Sequence, residues 1–260
     1  GAHSALVSEK ALLDSLHVEI ELLEVIANDV ASFKTTNVYA LALTVDTVEI
    51  SDKTIVEDAL SAFDTLPGDA QVELAVEKAL LDSLVIEIER QETVITDIAA
   101  YILEHSYALA LTVEAVEVTD RSYVEVALAE YNTLNIDVQA GLTTEKALLD
   151  SLLLEIERQV AVSSEIAKYK NDNAHVLALT IETVQITDRS YVEIAIVAYE
   201  NLSSDASTNL TSEKALLDSL FIEIKRLEAV ASEITLFKVD NASALSITVD
   251  SAVISDKVID

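Results

Sequence analysis

The sequence predicts an all-α protein, organised as a tandem array of about four 68-residue repeats that each form a three-helix bundle-like unit. The octapeptide Glu-Lys-Ala-Leu-Leu-Asp-Ser-Leu starts at Glu9, Glu77, Glu145 and Glu213, always 68 residues apart. A fixed period of this length is typical of one structural unit copied head to tail. Apolar residues recur every three or four positions, which is helical spacing. Gly (3) and Pro (1) are scarce, which disfavours turn-rich β folds.

The period divides the chain into segments whose equivalent positions lie 68 residues apart, and such positions are called register equivalents below. Residues 1–8 form a lead-in, and the repeats are 9–76, 77–144, 145–212 and 213–260, the fourth shortened in its last helix. The opening Gly-Ala-His-Ser is interpreted as a cloning scar or a processed end, so that any signal peptide would lie outside it. The chain as a whole is interpreted as part of a longer array.

The first predicted element of each repeat is a long helix, which spans Glu9 to Phe33 in repeat 1 and measures roughly 38 Å at 1.5 Å per residue. Ser8, Thr144 and Ser212 are predicted N-caps, whereas Val76 stands at that position in repeat 2. The predicted buried face of the helix is amphipathic in pattern. It consists of Leu12, Leu13, Leu16, Ile20, Leu23, Ala27, Val30 and Phe33.

The region from Ala40 to Ile50 follows a polar break at residues 34–37 and allows two interpretations. Its apolar spacing suits a short helix or, by alternation, a strand, because periodicity does not separate the two in so short a run. A short helix is favoured for residues 38–43, since the rest of the repeat is helical. The stretch from Thr47 is expected to be extended, with Val48 and Ile50 facing the core.

A second clear helix is predicted to begin at Ser51-Asp52, a capping pair that places an acidic residue at the helix N-terminus. The pair recurs as Thr119-Asp120, Thr187-Asp188 and Ser255-Asp256. A turn at Pro67-Gly68, and at its counterparts Asn135-Ile136 and Ser203-Ser204, is then expected to lead into the next long helix. The predicted buried face of the second helix consists of Val56, Ala59, Leu60, Phe63 and Leu66.

One continuous string carries a resemblance to a known family. Residues 120–134 read Asp-Arg-Ser-Tyr-Val-Glu-Val-Ala-Leu-Ala-Glu-Tyr-Asn-Thr-Leu, and residues 144–152 read Thr-Glu-Lys-Ala-Leu-Leu-Asp-Ser-Leu. This resembles the tandem three-helix repeats of large bacterial cell-surface and S-layer proteins, and the likeness returns once per repeat. The chain departs from that pattern in lacking the Pro that often ends the middle helix. The resemblance implies a secreted, extracellular stalk, spacer or lattice element without catalytic residues.

The charge narrows the classes of partner. The chain carries 47 acidic and 16 basic residues, for a net charge of −31. Such a charge repels phosphate backbones, so nucleic acid is not an expected partner. No apolar run approaches the roughly 20 residues that span a bilayer, so no membrane insertion is expected of this segment. The expected partners are neighbouring repeats or copies of the same protein, with a host or cell-wall ligand as a further candidate.

No motif predicts catalytic, cofactor-binding or metal-binding residues, and the chain is not expected to be an enzyme. The four histidines, His3, His17, His105 and His175, do not recur between repeats, and packing roles are favoured for them. Cysteine is absent, which excludes disulfides and thiolate metal sites. Helix capping and solvation of outer faces are favoured over calcium binding for the recurrent carboxylates, although loose binding of divalent cations is compatible with them. These carboxylates are Asp14, Glu19, Asp46, Asp52 and Glu57.

Two rows of aromatic residues recur, Phe33, Tyr101, Tyr169 and Phe237 in one and Phe63, Tyr131 and Tyr199 in the other. A core role is favoured for both rows over a sugar-stacking platform. The favoured function is that of a structural repeat region forming an elongated rod. An adhesin that grips a protein or glycan is the alternative, and an α-solenoid with a concave groove is a third interpretation. A rod of four units would reach roughly 150 Å, at up to about 38 Å for each long helix.

Overall fold

The structure, a computed structural model, describes the backbone of residues 2–247 and the side chains of residues 6–247. Helices make up 82% of that part and it contains no strand, which confirms the predicted all-α class. The α-helices within it are α1 (Ala2–Thr36), α2 (Val38–Ala42), α3 (Lys53–Asp64), α4 (Gly68–Glu73), α5 (Ala75–Glu104), α6 (Ser106–Leu109), α7 (Arg121–Tyr131), α8 (Ile136–Gly141), α9 (Thr143–Asp172), α10 (Ala174–Leu177), α11 (Arg189–Glu200), α12 (Ser204–Thr208), α13 (Thr211–Asp240) and α14 (Ala242–Leu245). Short 3₁₀ helices span Ile50–Asp52, Val118–Asp120 and Ile186–Asp188.

The predicted turn before each long helix is instead a short helix, namely α4, α8 or α12. The residues interpreted as turn formers are its N-caps: Asn135 accepts a hydrogen bond from the Asp137 N–H, and Ser203 accepts one from the Ala206 N–H. In α4 and α8 a glutamine side chain also binds the last carbonyls of the preceding helix. Gln139 donates to the carbonyls of Tyr131 and Leu134, each at 3.0 Å. Unsatisfied carbonyls at a helix end gain partners in this way.

The predicted N-caps of the long helices are wrong. Ser8 lies inside α1, and Thr144 and Ser212 are the second residues of their helices. The residue before α5, α9 and α13 is a fully buried leucine, namely Leu74, Leu142 or Leu210. Its backbone stays in the hydrogen-bonding pattern on both sides; Leu74 N–H donates to Ala70, and the Leu74 carbonyl accepts from Lys78. Burial of the leucine therefore fixes the bend, and no side-chain cap is needed.

The structure resolves the ambiguity of the Ala40–Ile50 region. Residues 38–42 are the helix α2, as favoured, and Val48 is buried, as expected. Thr47 was expected to be extended but lies in a turn, in which the Val48 N–H donates to the Thr44 carbonyl at 2.9 Å; the extended backbone is at Glu49. Ile50 was expected to be extended and to face the core, but it begins a 3₁₀ helix and is only half-buried.

The predicted acidic cap at Asp52 exists, with a partner that the sequence did not identify. Asp52 Oδ2 accepts the N–H of Glu49 at 2.9 Å, and Asp188 accepts that of Gln185 at the same distance. This hydrogen bond joins the end of the loop to the first turn before α3 or α11, and it is one half of a capping box. The Ser255-Asp256 pair lies outside the described residues.

By contacts, the chain divides into two compact units. Unit 1 comprises the described residues of Gly1–Ala110 and Val126–Leu149, and unit 2 those of Leu111–Glu125 and Asp150–Asp260. Each unit contains a hydrophobic core of its own.

The core of unit 1 combines residues from two successive sequence repeats. The end of α1 contributes Phe33, and α3 contributes its predicted face, of which Val56, Ala59 and Phe63 are buried while Leu60 and Leu66 pack at the edge. The start of the next long helix, α5, contributes Leu81, Leu84 and Ile88. Helix α3 packs directly on α5, and α4 packs on α1. The predicted face of α3 is thus confirmed, and its main partner is the long helix that follows it.

The core of unit 2 is built from apolar and aromatic residues at register-equivalent positions. Tyr169 takes the place of Phe33, while Val192 and Ala195 of α11 pack with Leu217, Leu220 and Ile224 of α13. These register equivalents differ by multiples of 68 residues. The same contacts therefore form in both units.

The predicted buried face of the first long helix is wrong over most of its length. Leu13, Leu16 and Ile20 are 66%, 49% and 53% exposed, and Leu12, Leu23 and Ala27 are exposed as well. Only Val30 and Phe33 at the end of the helix meet the core. The spacing identified an apolar face, but no described element lies against residues 6–25 to cover it.

One close approach distinguishes the second repeat. Gly141, at the end of α8, lies so near α5 that an added Cβ would collide with Cδ1 of Ile98. Its register equivalents are Glu73 and Asn209.

The core predicts a contrast between two leucines on α9. Leu149 is fully buried, whereas Leu154 is 69% exposed. We expect Leu149→Ala to lower the free energy of unfolding by about 2–5 kcal/mol and Leu149→Met by less than about 1.5 kcal/mol. Leu154→Ala is the matched control, with an expected change within about 0.5 kcal/mol. Urea unfolding followed by circular dichroism measures all three; equal losses for the two alanine variants would contradict the burial assignment.

Candidate interaction surface

The recurring geometry is a joint, defined here as the packing of the first half of a long helix against the elements that precede it. In unit 1 the joint brings α5 against α2 and α3, and in unit 2 it brings α13 against α10 and α11. Its apolar centre is the leucine and isoleucine face of the long helix, packed on the second helix face. Polar contacts surround this centre at register-equivalent positions.

An ion pair closes one end of each joint. Lys34 Nζ lies 2.7 Å from Glu77 Oε1 in unit 1, and Lys170 Nζ lies 2.8 Å from Glu213 Oε1 in unit 2. Hydrogen bonding to the lysine lowers the pKa of both glutamates. Both carboxylates are only about one-fifth exposed, so each remains ionised beside its lysine at neutral pH.

A second ion pair lies towards the other end. Lys53 Nζ is 2.9 Å from Glu92 Oε1 in unit 1, and Arg189 Nη1 is 2.6 Å from Glu228 Oε2 in unit 2. The basic residue is the first of the second helix, and the acidic residue follows the apolar face of the next long helix.

A lysine over an aromatic ring completes the joint. Lys78 Nζ lies 5.9 Å from the ring centroid of Phe63, and Lys214 Nζ lies at the same distance from that of Tyr199. Each lysine also pairs with an aspartate one helical turn on, Asp82 or Asp218. A cation over the face of an aromatic ring is attracted by its quadrupole. The sequence could have indicated these pairs, because every octapeptide presents the same glutamate and lysine.

The aromatic rows are core residues where the joint is complete. Phe33, Tyr101 and Tyr169 are buried. Each forms an edge-on pair with the aromatic residue on the second helix of its repeat, and the ring centroids are 6.1 Å apart for Phe33–Phe63, 6.4 Å for Tyr101–Tyr131 and 6.2 Å for Tyr169–Tyr199. Tyr101 donates to the Ala127 carbonyl at 2.9 Å, and burial raises its pKa to about 12. The predicted core role is confirmed for these residues, but Phe237 is 61% exposed.

Arginines bind the short helices to the long helices before them. Arg158 donates to Glu155 on its own helix and to Asp205 on α12, and Arg90 makes the corresponding pairs with Glu87 and Asp137. Hydrogen bonds from Arg158 and Gln159 lower the pKa of Glu155 to about 2.

The histidines are not brought together. His17 is exposed beside Glu21, and His175 is exposed near Tyr191, so the expected packing role is wrong for the former. His105 does have the packing role, because it is buried, contacts the Tyr101 ring at 4.5 Å and lies 3.0 Å from Glu130 through Nε2. The side chain of His3 lies outside the described residues.

Of the candidate carboxylates, Asp14, Glu19, Asp46 and Glu57 are exposed, and Asp52 is half-buried. Asp14 pairs with Lys10 at 2.6 Å, and Asp52 caps its loop. Within residues 6–247 no group of three or more His, Cys, Asp or Glu side chains is placed to hold a metal ion.

Several open clefts lie along the described surface. Two occupy register-equivalent positions beside the ion pairs Lys34–Glu77 and Lys170–Glu213, with volumes of about 410 and 420 Å³. A third, of about 460 Å³, lies between α9 and α12, beside Ile166 and Asn209.

Among the helices of residues 2–247, none has both the length and the apolarity needed to cross a lipid bilayer. Comparison with protein-family models, curated proteins and solved structures gave no match to this chain. The joints and the sequence repeat therefore provide the basis for a functional proposal.

The lowered pKa of Glu155 predicts a pH-dependent stability difference. We expect Glu155→Gln to destabilise the fold at pH 7, because the variant loses a charged partner of Arg158. The folded pKa of about 2 lies below the ordinary 4.5, so the contribution is complete above about pH 4.5 and is lost as the pH falls through about 2. Urea unfolding of chain and variant at pH 7, 4 and 2 measures the difference. Glu157→Gln, at an exposed neighbour, is the control; a Glu155→Gln effect independent of pH would contradict the assignment.

The buried histidine predicts a contrast with the exposed one. We expect His105→Ala to cost about 1–3 kcal/mol in the free energy of unfolding, because it removes a packed ring and leaves Glu130 without its partner. His17→Ala should change stability by less than about 0.5 kcal/mol. His105→Asn should recover part of the loss. At the equivalent positions, Asn37 donates to the Phe33 carbonyl and Asn173 to the Tyr169 carbonyl, each at 2.9 Å, so an asparagine at 105 should donate to the Tyr101 carbonyl. Equal effects of the two alanine variants in thermal or urea unfolding would refute the buried role.

Proposed function

We propose that this chain is a non-catalytic structural repeat region of an extracellular surface protein, serving as a stalk, spacer, filament or lattice element. The observation that supports the proposal is the joint, which recurs at register-equivalent positions in both units. Its apolar centre and its polar pairs are built from residues of two successive sequence repeats. Many of the residues that recur in every repeat thus form contacts between one repeat and the next.

Such a joint supports an array of variable length. In repeat arrays, stability is approximately the sum of the repeats and their nearest-neighbour interfaces. Each added repeat of this sequence would bring one more octapeptide, and with it one more apolar face, glutamate and lysine for a joint. The apolar centre supplies the strength, at about 1.5–3 kcal/mol for each leucine or isoleucine side chain removed from water.

Charge and composition agree with a surface role. The net charge of −31 favours solubility and keeps separate molecules apart. The extracellular location rests on the resemblance to bacterial cell-surface and S-layer repeats. The non-catalytic character rests on the sequence, in which no catalytic motif recurs or clusters.

One observation favours adhesion as a second candidate function. The clefts beside Lys34–Glu77 and Lys170–Glu213 have nearly equal volumes and equivalent linings, including Leu41 and Leu80 in the first and Leu177 and Leu216 in the second. A protein or glycan ligand that occupies one cleft would find the same chemistry at the other, and linked sites of this kind bind by avidity. Immobilised chain tested against glycan arrays and bacterial or host surface extracts would reveal such a ligand.

Small-angle X-ray scattering tests the array. We expect an elongated particle whose maximum dimension approaches roughly 150 Å, from four units of up to about 38 Å each. The radius of gyration should then approach roughly 40 Å, as for a thin rod of that length. A globular protein of 260 residues has a radius of roughly 18 Å. Measurement at low and moderate salt separates charge repulsion from intrinsic shape, and a radius near the globular value in both would refute the rod.

A further inference from the structure

We propose that the exposed face of α1 is a docking surface for one further module of this same kind. A module here means the end of a long helix, the short helix, the capped loop and the second helix, as in residues 30–64 or 166–200 of this chain. The proposal rests on the proposed function and names the partner that the first long helix takes.

The apolar part of the surface is the same as three faces that the chain buries elsewhere. Leu16, 49% exposed, is the register equivalent of Leu84, Leu152 and Leu220, each of which is fully buried. The register equivalents of Leu13 are Leu81, Leu149 and Leu217, and all three are buried. Those of Ile20 are Ile88, Ile156 and Ile224, which are buried as well. By contrast, Val18 matches Ile86, Leu154 and Ile222, which are 66%, 69% and 68% exposed. The exposed face of α1 therefore has one side built for burial and one side built for solvent.

The cover of the equivalent faces identifies the occupant. The face of α5 is covered by α2 and α3, and that of α13 by α10 and α11. In both cases the covering elements belong to the module defined above. Because α1 carries its apolar residues at the same spacing as α5 and α13, its face fits the second helix of such a module.

Charged residues at the two ends of the surface match the same occupant. Glu9 is the register equivalent of Glu77 and Glu213, which pair with the lysine at the end of the preceding long helix. Glu24 is the equivalent of Glu92 and Glu228, which pair with the first residue of the second helix. Glu9 and Glu24 are exposed and make no ion pair within residues 6–247. The two carboxylates are therefore spaced to receive the two basic residues of one module.

A third polar feature is already in its docked arrangement. Lys10 pairs with Asp14 at 2.6 Å, as Lys78 pairs with Asp82 at 2.6 Å. In the complete joints that lysine also lies over the aromatic ring of the second helix. A module with Phe or Tyr at that position would place its ring beneath Lys10. The surface thus recognises a basic residue, an aromatic ring and a second basic residue around an apolar helix face.

The test compares the full chain with the same chain extended at its N-terminus. In the extended chain, a copy of residues 157–210 replaces residues 1–6 and is joined directly to Val7. The added Leu210 then stands at position 6, which is the register equivalent of Leu74, the residue before α5. Hydrogen–deuterium exchange of the amides in residues 9–25 reports docking. We expect the extension to slow their exchange by at least about tenfold, because a packed helix exchanges only through opening of the joint.

Single substitutions identify the face. In the extended chain, Leu16→Asp should abolish the protection, Glu24→Lys should reduce it several-fold, and the matched control Val18→Asp should leave it intact. In the unextended chain all three should leave the exchange of α3 and α5 unchanged, since those elements do not contact residues 6–25.

Three results would overturn the proposal. One is unchanged exchange of residues 9–25 on extension, and another is an equal effect of Leu16→Asp and Val18→Asp. The third is concentration-dependent protection of residues 9–25 in the unextended chain, which would identify a second copy as the occupant. The first two results leave the scattering of the unextended chain unchanged, and the third changes it only as the concentration rises, so scattering extrapolated to zero concentration distinguishes failure of the docking proposal from failure of the array.

Discussion

A long helix in this chain buries its apolar face only where a preceding module lies against it. The octapeptide is identical in α1 and α5, yet Leu16 is half exposed and Leu84 is fully buried. Local sequence therefore determines that both segments are helical and amphipathic, while the neighbour determines which of them has a core. The core clusters, the aromatic pairs and the ion pairs at either end of each joint all depend on this one packing relation. The stability of an amphipathic helix comes more from the packing of its apolar face against a partner than from its intrinsic helix propensity.

The ion pairs have a different role from the apolar centre. Exposed or partly exposed pairs contribute only about 0–1 kcal/mol each, so Lys34–Glu77 adds little strength beside the buried leucines. In a chain with 47 acidic and only 16 basic residues, however, a long helix that shifts by one turn loses the basic partners of both of its glutamates. Lysine or arginine at two fixed points of the joint disfavours such shifted packings, which is how charge supplies specificity.

The sequence predicts well what depends on spacing within one helix. The three-and-four pattern of Val56, Ala59 and Phe63 identified the buried face of α3, and the recurrence of Phe33 and Tyr101 at one position identified core aromatics. The sequence predicts poorly what depends on a neighbour. Nothing in the spacing of Leu13 and Leu16 distinguishes a covered face from an uncovered one.

The short helices escaped prediction for a local reason. Asn135 and Ser203 favour turns and N-caps through the same side-chain hydrogen bonds, and a six-residue helix leaves little periodic signal beyond them. The predicted caps of the long helices failed because Thr144 and Ser212 are good capping residues by type, whereas the bend is fixed by a buried leucine two residues earlier, Leu142 or Leu210. The ion pairs across the joints were visible as recurrent Lys and Glu positions, but their partners lie about 40 residues away in sequence.

The contact between Gly141 and Ile98 has a consequence for how such a gene can change. Both residues lie between the second and third octapeptides, as do His105 and Glu130, so the contacts peculiar to the second copy are contained within one copy. The octapeptide supplies the long-helix side of each joint, and its residues are the same in every copy. Unequal crossing-over at the octapeptide-coding stretches would therefore add or remove whole copies without separating Gly141 from Ile98. The position of the identical stretch thus makes copy number free to vary while each copy diverges internally.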